Sequence, residues 1–251
     1  MCKVVAIIPA RFGSTRLPGK PLIKIKRNTQ DKPQNKLMIE WVYEVAKKVK
    51  NITDVYVATE DERISDAVKR FGGKAVLTPN TLKSGTDRVA FVAKDISADI
   101  YINIQGDEPF LEPFVIESAL DLVLAKKFTI GTVATFFKDI SEVQNLNTVK
   151  VLVDSNMRAI YFSRFPIPYS REAIPLTLTS VICKKHIGVY VYTRDALLKF
   201  AGLRQTELEK AESLEQLRAI EHDIPIGVSI VDCDSIGIDT LEDLEKIKFY
   251  G

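Results

Sequence analysis

Short apolar runs alternate along this chain with segments of helical period, and that alternation narrows the possible folds more than any other feature. Val4–Ile8, Val55–Thr59, Ala75–Thr78, Ile100–Ile104 and Ile130–Phe137 have strand length and strand composition. Between them, Lys36–Val49, Asp61–Phe71, Thr86–Ile96 and Glu112–Lys126 repeat their apolar positions with helical spacing. Strand and helix in strict turn imply βαβ units, hence an α/β fold. Its central sheet is mainly parallel, with helices covering both faces.

The second half is less regular. Val149–Val153 and Ala159–Phe162 flank "DSNM" and predict a hairpin, and His186–Tyr192 and Ile226–Val231 predict further strands. Leu208, Ala211, Leu214, Leu217 and Ile220 recur every three residues, close enough to helical period to predict one helix with one apolar face. Thr206 and Glu209 stand at its start with capping-box spacing. The polar stretch "KIKRNTQDKPQNK" at 24–36 predicts an exposed loop. No repeat or linker interrupts the chain, so 251 residues are expected to form a single domain.

Several function classes fall away on composition. A formal net charge of +2 gives no general cationic surface for nucleic acid or membrane. No apolar run approaches the roughly 18 residues of a membrane span, and Pro9 and Arg11 end the first one too early for a signal peptide. Cys2, Cys183 and Cys233 are dispersed and odd in number, which favours reduced thiols in a cytoplasmic protein over a disulfide framework or a zinc site.

Within that nearly neutral chain, "PARFGSTRLPGKP" at 9–21 places Arg11, Arg16 and Lys20 on one turn directly behind the first strand. In an open parallel sheet, ligands bind beyond the carboxyl ends of the strands. Gly13 and Gly19 permit positive φ and close backbone approach, and such a turn can present several N–H groups as an anion nest. A nucleoside triphosphate carries about four negative charges, which three cations and backbone donors would match. The turn is neither a Walker A loop, since Lys20 precedes a proline, nor a G-x-G-x-x-G loop. A solvated basic loop is the competing reading.

Three later loops end strands in the same way. "SGTDR" (Ser84 to Arg88) offers hydroxyls and a glycine to a base or ribose, and equally reads as a helix N-cap. "NIQGDEP" (Asn103 to Pro109) presents Asp107 and Glu108 after a sharp exit at Gly106. A carboxylate there suits Mg²⁺, although an acidic turn before a helix is also favourable to the helix dipole. "DSIGIDTLEDL" (Asp234 to Leu244) repeats the glycine–aspartate arrangement at Gly237 and Asp239, where Asp239 is either a second metal ligand or part of a helix start. Cations for phosphate oxygens and carboxylates for a metal are the set that phosphoryl chemistry requires.

These motifs also carry a resemblance. "IIPARFGSTRLPGKPL", "SGTDR", "NIQGDEPF", "TVKVLVD", "YFSRFPIPY", "HIGVYVYTRDAL", "ESLEQLRAIE" and "GIDTLEDLEKI" follow one another as in the 3-deoxy-manno-octulosonate cytidylyltransferase (CMP-Kdo synthetase) family, and the chain resembles that family from Val5 to Ile247. The resemblance implies a Rossmann-like nucleotidyltransferase fold and Mg²⁺-dependent transfer of CMP from CTP to 3-deoxy-D-manno-octulosonate (Kdo). Pyrophosphate would be released, and CMP-Kdo would feed lipopolysaccharide synthesis. It also implies a homodimer built through a subdomain at residues 138–192, which would contribute to the sugar site.

Carried over residue by residue, Arg11, Arg16 and Lys20 would hold the triphosphate, with Lys20, Arg11 and Asp107 the catalytic groups. Gly13, Ser14, Ser84, Gly85, Arg88 and Gln105 would complete the nucleotide site, and Asp107 and Asp239 would bind Mg²⁺. Arg164, His186, Glu215 and Gln216 would face the carboxylate and hydroxyls of the sugar. The chain departs from the family between Lys24 and Ile39, where relatives make a short turn ending in Gly-Lys-Pro and this sequence has the longer "KRNTQDKPQNKLMI". The alternatives are a cytidylyltransferase for another acidic sugar, an amino-Kdo or a sialic acid, and a catalytically silent nucleotide-binding protein.

Overall fold

The computed structural model describes residues 2–13, 17–27, 34–169, 171, 177–178, 181–233, 237–238 and 243–245. The chain divides into two compact units, residues 1–114 with 235–251, and residues 115–234.

The first unit follows the βαβ expectation. In chain order it contains β1 (Val4–Ala10), β2 (Lys24–Arg27), β3 (Gln34–Leu37), α1 (Met38–Lys48) and β4 (Ile52–Thr59). α2 (Glu62–Arg70), β5 (Lys74–Leu77), α3 (Gly85–Asp95) and β6 (Ile100–Ile104) complete it. β1 pairs in parallel with β4 and β6, and β4 pairs in parallel with β5. All seven residues of β1 and all five of β6 are buried, which requires cover on both faces and explains why these strands are uninterrupted apolar runs. α2 and α3 are capped at their starts by side chains, Asp61 and Ser84. The Asp61 carboxylate accepts from the Arg63 N–H at 2.9 Å at the start of α2, while Lys69 and Arg70 favour the other end of its dipole.

The polar stretch after the first turn is not a loop. β2 and β3 form an antiparallel hairpin, and the expected helix from Lys36 begins only at Met38, because Lys36 and Leu37 belong to β3. The reason is packing. Ile25 is buried beside Leu17, Met38, Trp41 and Ile238, with Phe110 against the same cluster. The Arg27 guanidinium lies 5.6 Å from the ring centres of both Trp41 and Phe110 and donates to the Pro109 carbonyl at 2.9 Å. Few apolar residues are needed for a strand pair when long cationic stems cover aromatic faces.

The second unit is mixed. It contains α4 (Pro113–Leu124, whose first two residues belong to the first unit), β7 (Ile130–Thr135), α5 (Ile140–Gln144), β8 (Lys150–Val153), β9 (Ala159–Ser163) and β10 (Lys184–Thr193). α6 (Arg194–Ala201), α7 (Glu207–Glu212), α8 (Leu217–Glu221) and β11 (Ile226–Ile230) follow. β11 runs parallel to β7, while β10 runs antiparallel to both β7 and β8, and β8 and β9 form the hairpin expected around "DSNM". The single helix expected over 208–220 is two short ones. Ser213, at φ +53, breaks the pattern between α7 and α8. A buried ion pair from Arg218 to Glu209, with Nε to Oε2 at 2.8 Å, ties α8 back onto α7. Glu209 therefore serves that pair as well as accepting from the Thr206 N–H at 3.3 Å.

Candidate active site

The turn after β1 closes on itself. The Gly19 N–H donates to the Phe12 carbonyl at 2.9 Å, and Gly19 adopts φ +68, a left-handed conformation that costs a glycine little. Gly13 does not have positive φ, so the freedom expected of it is not used. A single 3-10 turn, Lys20–Leu22, then carries Lys20 into the unit. There its ammonium meets the Asp107 carboxylate, Nζ to Oδ2 at 2.8 Å, with the lysine side chain 10% exposed and the aspartate 33%. Residues 87 positions apart are brought together by parallel neighbours β1 and β6, whose carboxyl ends lie side by side.

The turn carrying Asp107 is fixed from several sides. A Cβ on Gly106 would stand 3.0 Å from the Pro9 carbonyl, so any other residue would require this turn or the end of β1 to shift by a few tenths of an ångström. The Ile238 N–H donates to the Asp107 carbonyl at 3.0 Å, and Arg27 holds the Pro109 carbonyl. Among the described residues the second carboxylate oxygen of Asp107 has no partner.

The other nucleotide-side residues divide. Arg11 is exposed and donates to the Leu82 carbonyl at 2.8 Å, which joins the first turn to the loop before α3. Ser84 is the N-cap of α3, its hydroxyl accepting from the Asp87 N–H at 3.0 Å while Asp87 accepts from the Ser84 N–H at 3.2 Å. A Cβ on Gly85 would meet Pro9 at 3.2 Å and Gln105 at 3.6 Å, so its closest neighbours belong to the protein itself. Arg88 is 1% exposed, donates to the Thr78 hydroxyl at 2.5 Å and lies 3.0 Å from the Glu60 carboxylate. Burial pulls its guanidinium below its usual value, with Glu60 opposing and the nearby Arg11 charge reinforcing the shift. Arg88 thus holds two strand ends together. Ser14, Arg16 and Asp239 lie outside the described residues.

In the second unit, His186 packs against Phe162, edge to face at 5.1 Å, and Tyr190 at 5.4 Å. Its Nε2 lies 2.9 Å from the Thr132 hydroxyl, and burial pushes the imidazole down to about 3. The Tyr190 hydroxyl is buried without a hydrogen-bond partner among the described residues. Its acidity is suppressed first by burial, then by Tyr192 and the Glu215 carboxylate. His186, Tyr190 and Glu215 therefore form one neighbourhood. Tyr190 was not among the residues expected from sequence, and its unspent hydroxyl is the signal that only coordinates reveal. Gln216 is buried at the N-cap of α8.

Arg164 is more committed. Its Nε donates to the Glu212 carbonyl at 2.9 Å, and its two terminal nitrogens reach the Leu146 and Ser213 carbonyls at 3.2 and 3.4 Å. Lys150, fully buried, donates to the carbonyls of Asn145, Thr148 and Arg164 at 2.6–2.7 Å. Neither Lys150 nor Glu212 stood out in the sequence, where a lysine on a strand and a glutamate on a helix look solvated. The three cysteines are free, and among the described residues no group of histidine, cysteine and carboxylate side chains could hold a metal on protein ligands alone.

Comparison with known proteins converges on this geometry. The chain matches the family model described as Cytidylyltransferase over residues 5–226. It is 43% identical over 252 residues to a 3-deoxy-manno-octulosonate cytidylyltransferase of Geobacter metallireducens, covering 98% of this chain and 96% of the relative. The chain belongs to the 3-deoxy-manno-octulosonate cytidylyltransferase family. An Escherichia coli member is 44% identical over 250 residues, covering 99% of this chain and 96% of its own. A CMP:2-keto-3-deoxy-manno-octonic acid synthetase solved with CTP superposes with a TM-score of 0.87 at 42% identity, over 99% of this chain and 98% of that one. A 4-diphosphocytidyl-2C-methyl-D-erythritol synthase from Anaerococcus prevotii shares the fold alone, with a TM-score of 0.62 at 16% identity. The fold of the chain is therefore that of the cytidylyltransferase family.

Proposed function

We propose that this protein transfers CMP from CTP to Kdo, giving CMP-Kdo and pyrophosphate. The observation that carries the reading is the Lys20–Asp107 pair at the carboxyl ends of β1 and β6. Each partner compensates the other's charge, and each has a further use. Lys20, with Arg11 and Arg16, binds triphosphate oxygens and stabilises the charge that develops on them. The anomeric 2-hydroxyl of the sugar attacks the α-phosphorus in line. The new oxygen–phosphorus bond forms as the bond to the pyrophosphate oxygen breaks, and the hydroxyl proton leaves to solvent. The protein's part is positioning and charge stabilisation.

Mg²⁺ fits the donor set. Asp107 offers an unpartnered oxygen that is part-exposed beside the phosphate-binding lysine, and magnesium is commonly held by one or two carboxylates together with substrate phosphates. Asp107, with Asp239, would hold the ion, which when bound supplies Lewis-acid neutralisation of phosphate charge. Ser84 and Gly85 shape the cytidine side, supported by Gln105 and Arg88. His186, Glu215, Gln216 and Arg164 form the sugar side.

Two further readings belong with this one. Phe165, Tyr169 and Ile182 are 68%, 90% and 68% exposed, which supports pairing of two copies through the subdomain at 138–192. Among the described residues no helix is long and apolar enough to cross a membrane, and a CTP-consuming enzyme would act in the cytoplasm. The deciding experiment follows pyrophosphate release from CTP and Mg²⁺, with and without Kdo, in wild type and Asp107→Ala. Release that needs Kdo and collapses in the variant is expected. Preference for a nine-carbon acidic sugar would sink the Kdo reading, and CTP binding with no release under any sugar would leave a silent binder.

A further inference from the structure

β10 slips its register against β7 between Ile187 and Tyr190. At this bulge the Thr132 hydroxyl, buried on β7, donates to the Val189 carbonyl at 2.7 Å. The same oxygen lies 2.9 Å from Nε2 of His186. A threonine hydroxyl has one proton, and a carbonyl can only accept. The proton is therefore spent on Val189, and Thr132 Oγ1 must accept from the imidazole. Nε2 carries the ring hydrogen, and Phe162 and Tyr190 fix the ring against rotation. Nδ1 makes no hydrogen bond among the described residues.

We propose that Thr132 is a positioning residue that holds the His186 hydrogen on Nε2, and so makes Nδ1 a fixed acceptor that takes a hydroxyl of the sugar and rejects its carboxylate. This rests on the sugar-side reading of His186 given above. It divides labour that the sequence leaves shared among four residues, since a lone pair facing a carboxylate oxygen is repulsive and a lone pair facing an O–H is a hydrogen bond. The suppressed basicity of the half-buried ring agrees with an orienting role rather than proton removal. The bulge gives the arrangement its specificity, because the residues that accept and donate are set by backbone register.

The chain has only two histidines, so the imidazole nitrogens can be resolved in the whole protein by ¹⁵N NMR, with His186→Asn assigning the signals. At neutral pH His186 should show a protonated Nε2 and an unprotonated Nδ1. Thr132→Val should raise the KM for Kdo about fivefold, the scale of one neutral hydrogen bond, while the KM for CTP and kcat stay within about twofold. Thr132→Ser, which keeps the hydroxyl, should restore both the spectrum and the KM. A protonated Nδ1 in wild type overturns the proposal, as does a serine variant as defective as the valine one. If His186→Ala leaves the KM for Kdo unchanged while the wild-type spectrum is as expected, it is the sugar-side reading that fails.

Discussion

Lys20 and Lys150 are both buried lysines, one in each unit, and they are satisfied in opposite ways. Lys20 meets the Asp107 carboxylate, which is one-third exposed and keeps an oxygen unspent. Lys150 spends its ammonium on three backbone carbonyls, and desolvation pulls its basicity down, opposed only in part by Cys183 and Glu212. A charge that meets a part-exposed carboxylate can be handed to a ligand. A charge caged by carbonyls from 145, 148 and 164 is structural, because every donor it gives up leaves an unsatisfied group behind. Burial alone does not mark a functional charge; the state of its partner does.

The contrast is sharpest in activity. Asp107→Asn keeps a hydrogen-bond acceptor for Lys20 and removes the charge, so Kdo-dependent turnover should fall about 100-fold or more with little change in melting temperature. Lys150→Met should do the reverse to stability. Three carbonyls lose their donor, at a cost of about 2–4 kcal/mol, which is roughly 5–10 °C in melting temperature. Equal loss of stability in both variants would break the distinction drawn between the two lysines.

A smaller effect concerns His186. Its folded-state value of about 3 lies below the ordinary 6.5, so the unfolded chain binds the proton more readily across that window. Stability should therefore fall as pH drops from about 6.5 towards 3, and His186→Asn should remove up to about 3 kcal/mol of that loss in denaturant titrations at pH 7 and pH 4. A variant whose acid loss matches wild type would show that the ring is not held neutral by the fold. The smallest effect belongs to Arg63, which is paired with Asp61 and stacks 3.3 Å above the Phe12 ring of the basic turn. Arg63→Ala should loosen that turn and raise the KM for CTP about twofold, leaving the KM for Kdo unchanged.

What could be read in advance follows the range of the interaction that decides it. The parallel first unit was legible because buried strands must be apolar throughout and helices must repeat at their own period. The β8–β9 hairpin was legible because its turn residues are local. The β2–β3 hairpin was not, since its Arg27 stem lies over Trp41 of the following helix and over Phe110, which is far along the chain. The break at Ser213 was hidden for a similar reason: the apolar spacing continues across it, and only the Glu209–Arg218 pair shows that the chain turns back. In the site, Arg11, Lys20 and Asp107 stand out as charges at strand ends. Tyr190 and Thr132 do not, because a tyrosine and a threonine in strands look like ordinary sheet residues until their hydroxyls are traced.

By itself, then, the sequence determined the alternation of strand and helix, the basic turn behind the first strand, the acidic turn behind the fourth βα step and, through the order of its motifs, the family. These are properties of local composition and periodicity, which act within a few residues. The tertiary structure alone decided that Lys20 pairs with Asp107, that Lys150 is caged by carbonyls, and that His186 presents an accepting nitrogen. Each of those depends on where one proton or one lone pair is already spent, and that is set by how the folded chain brings its neighbours together.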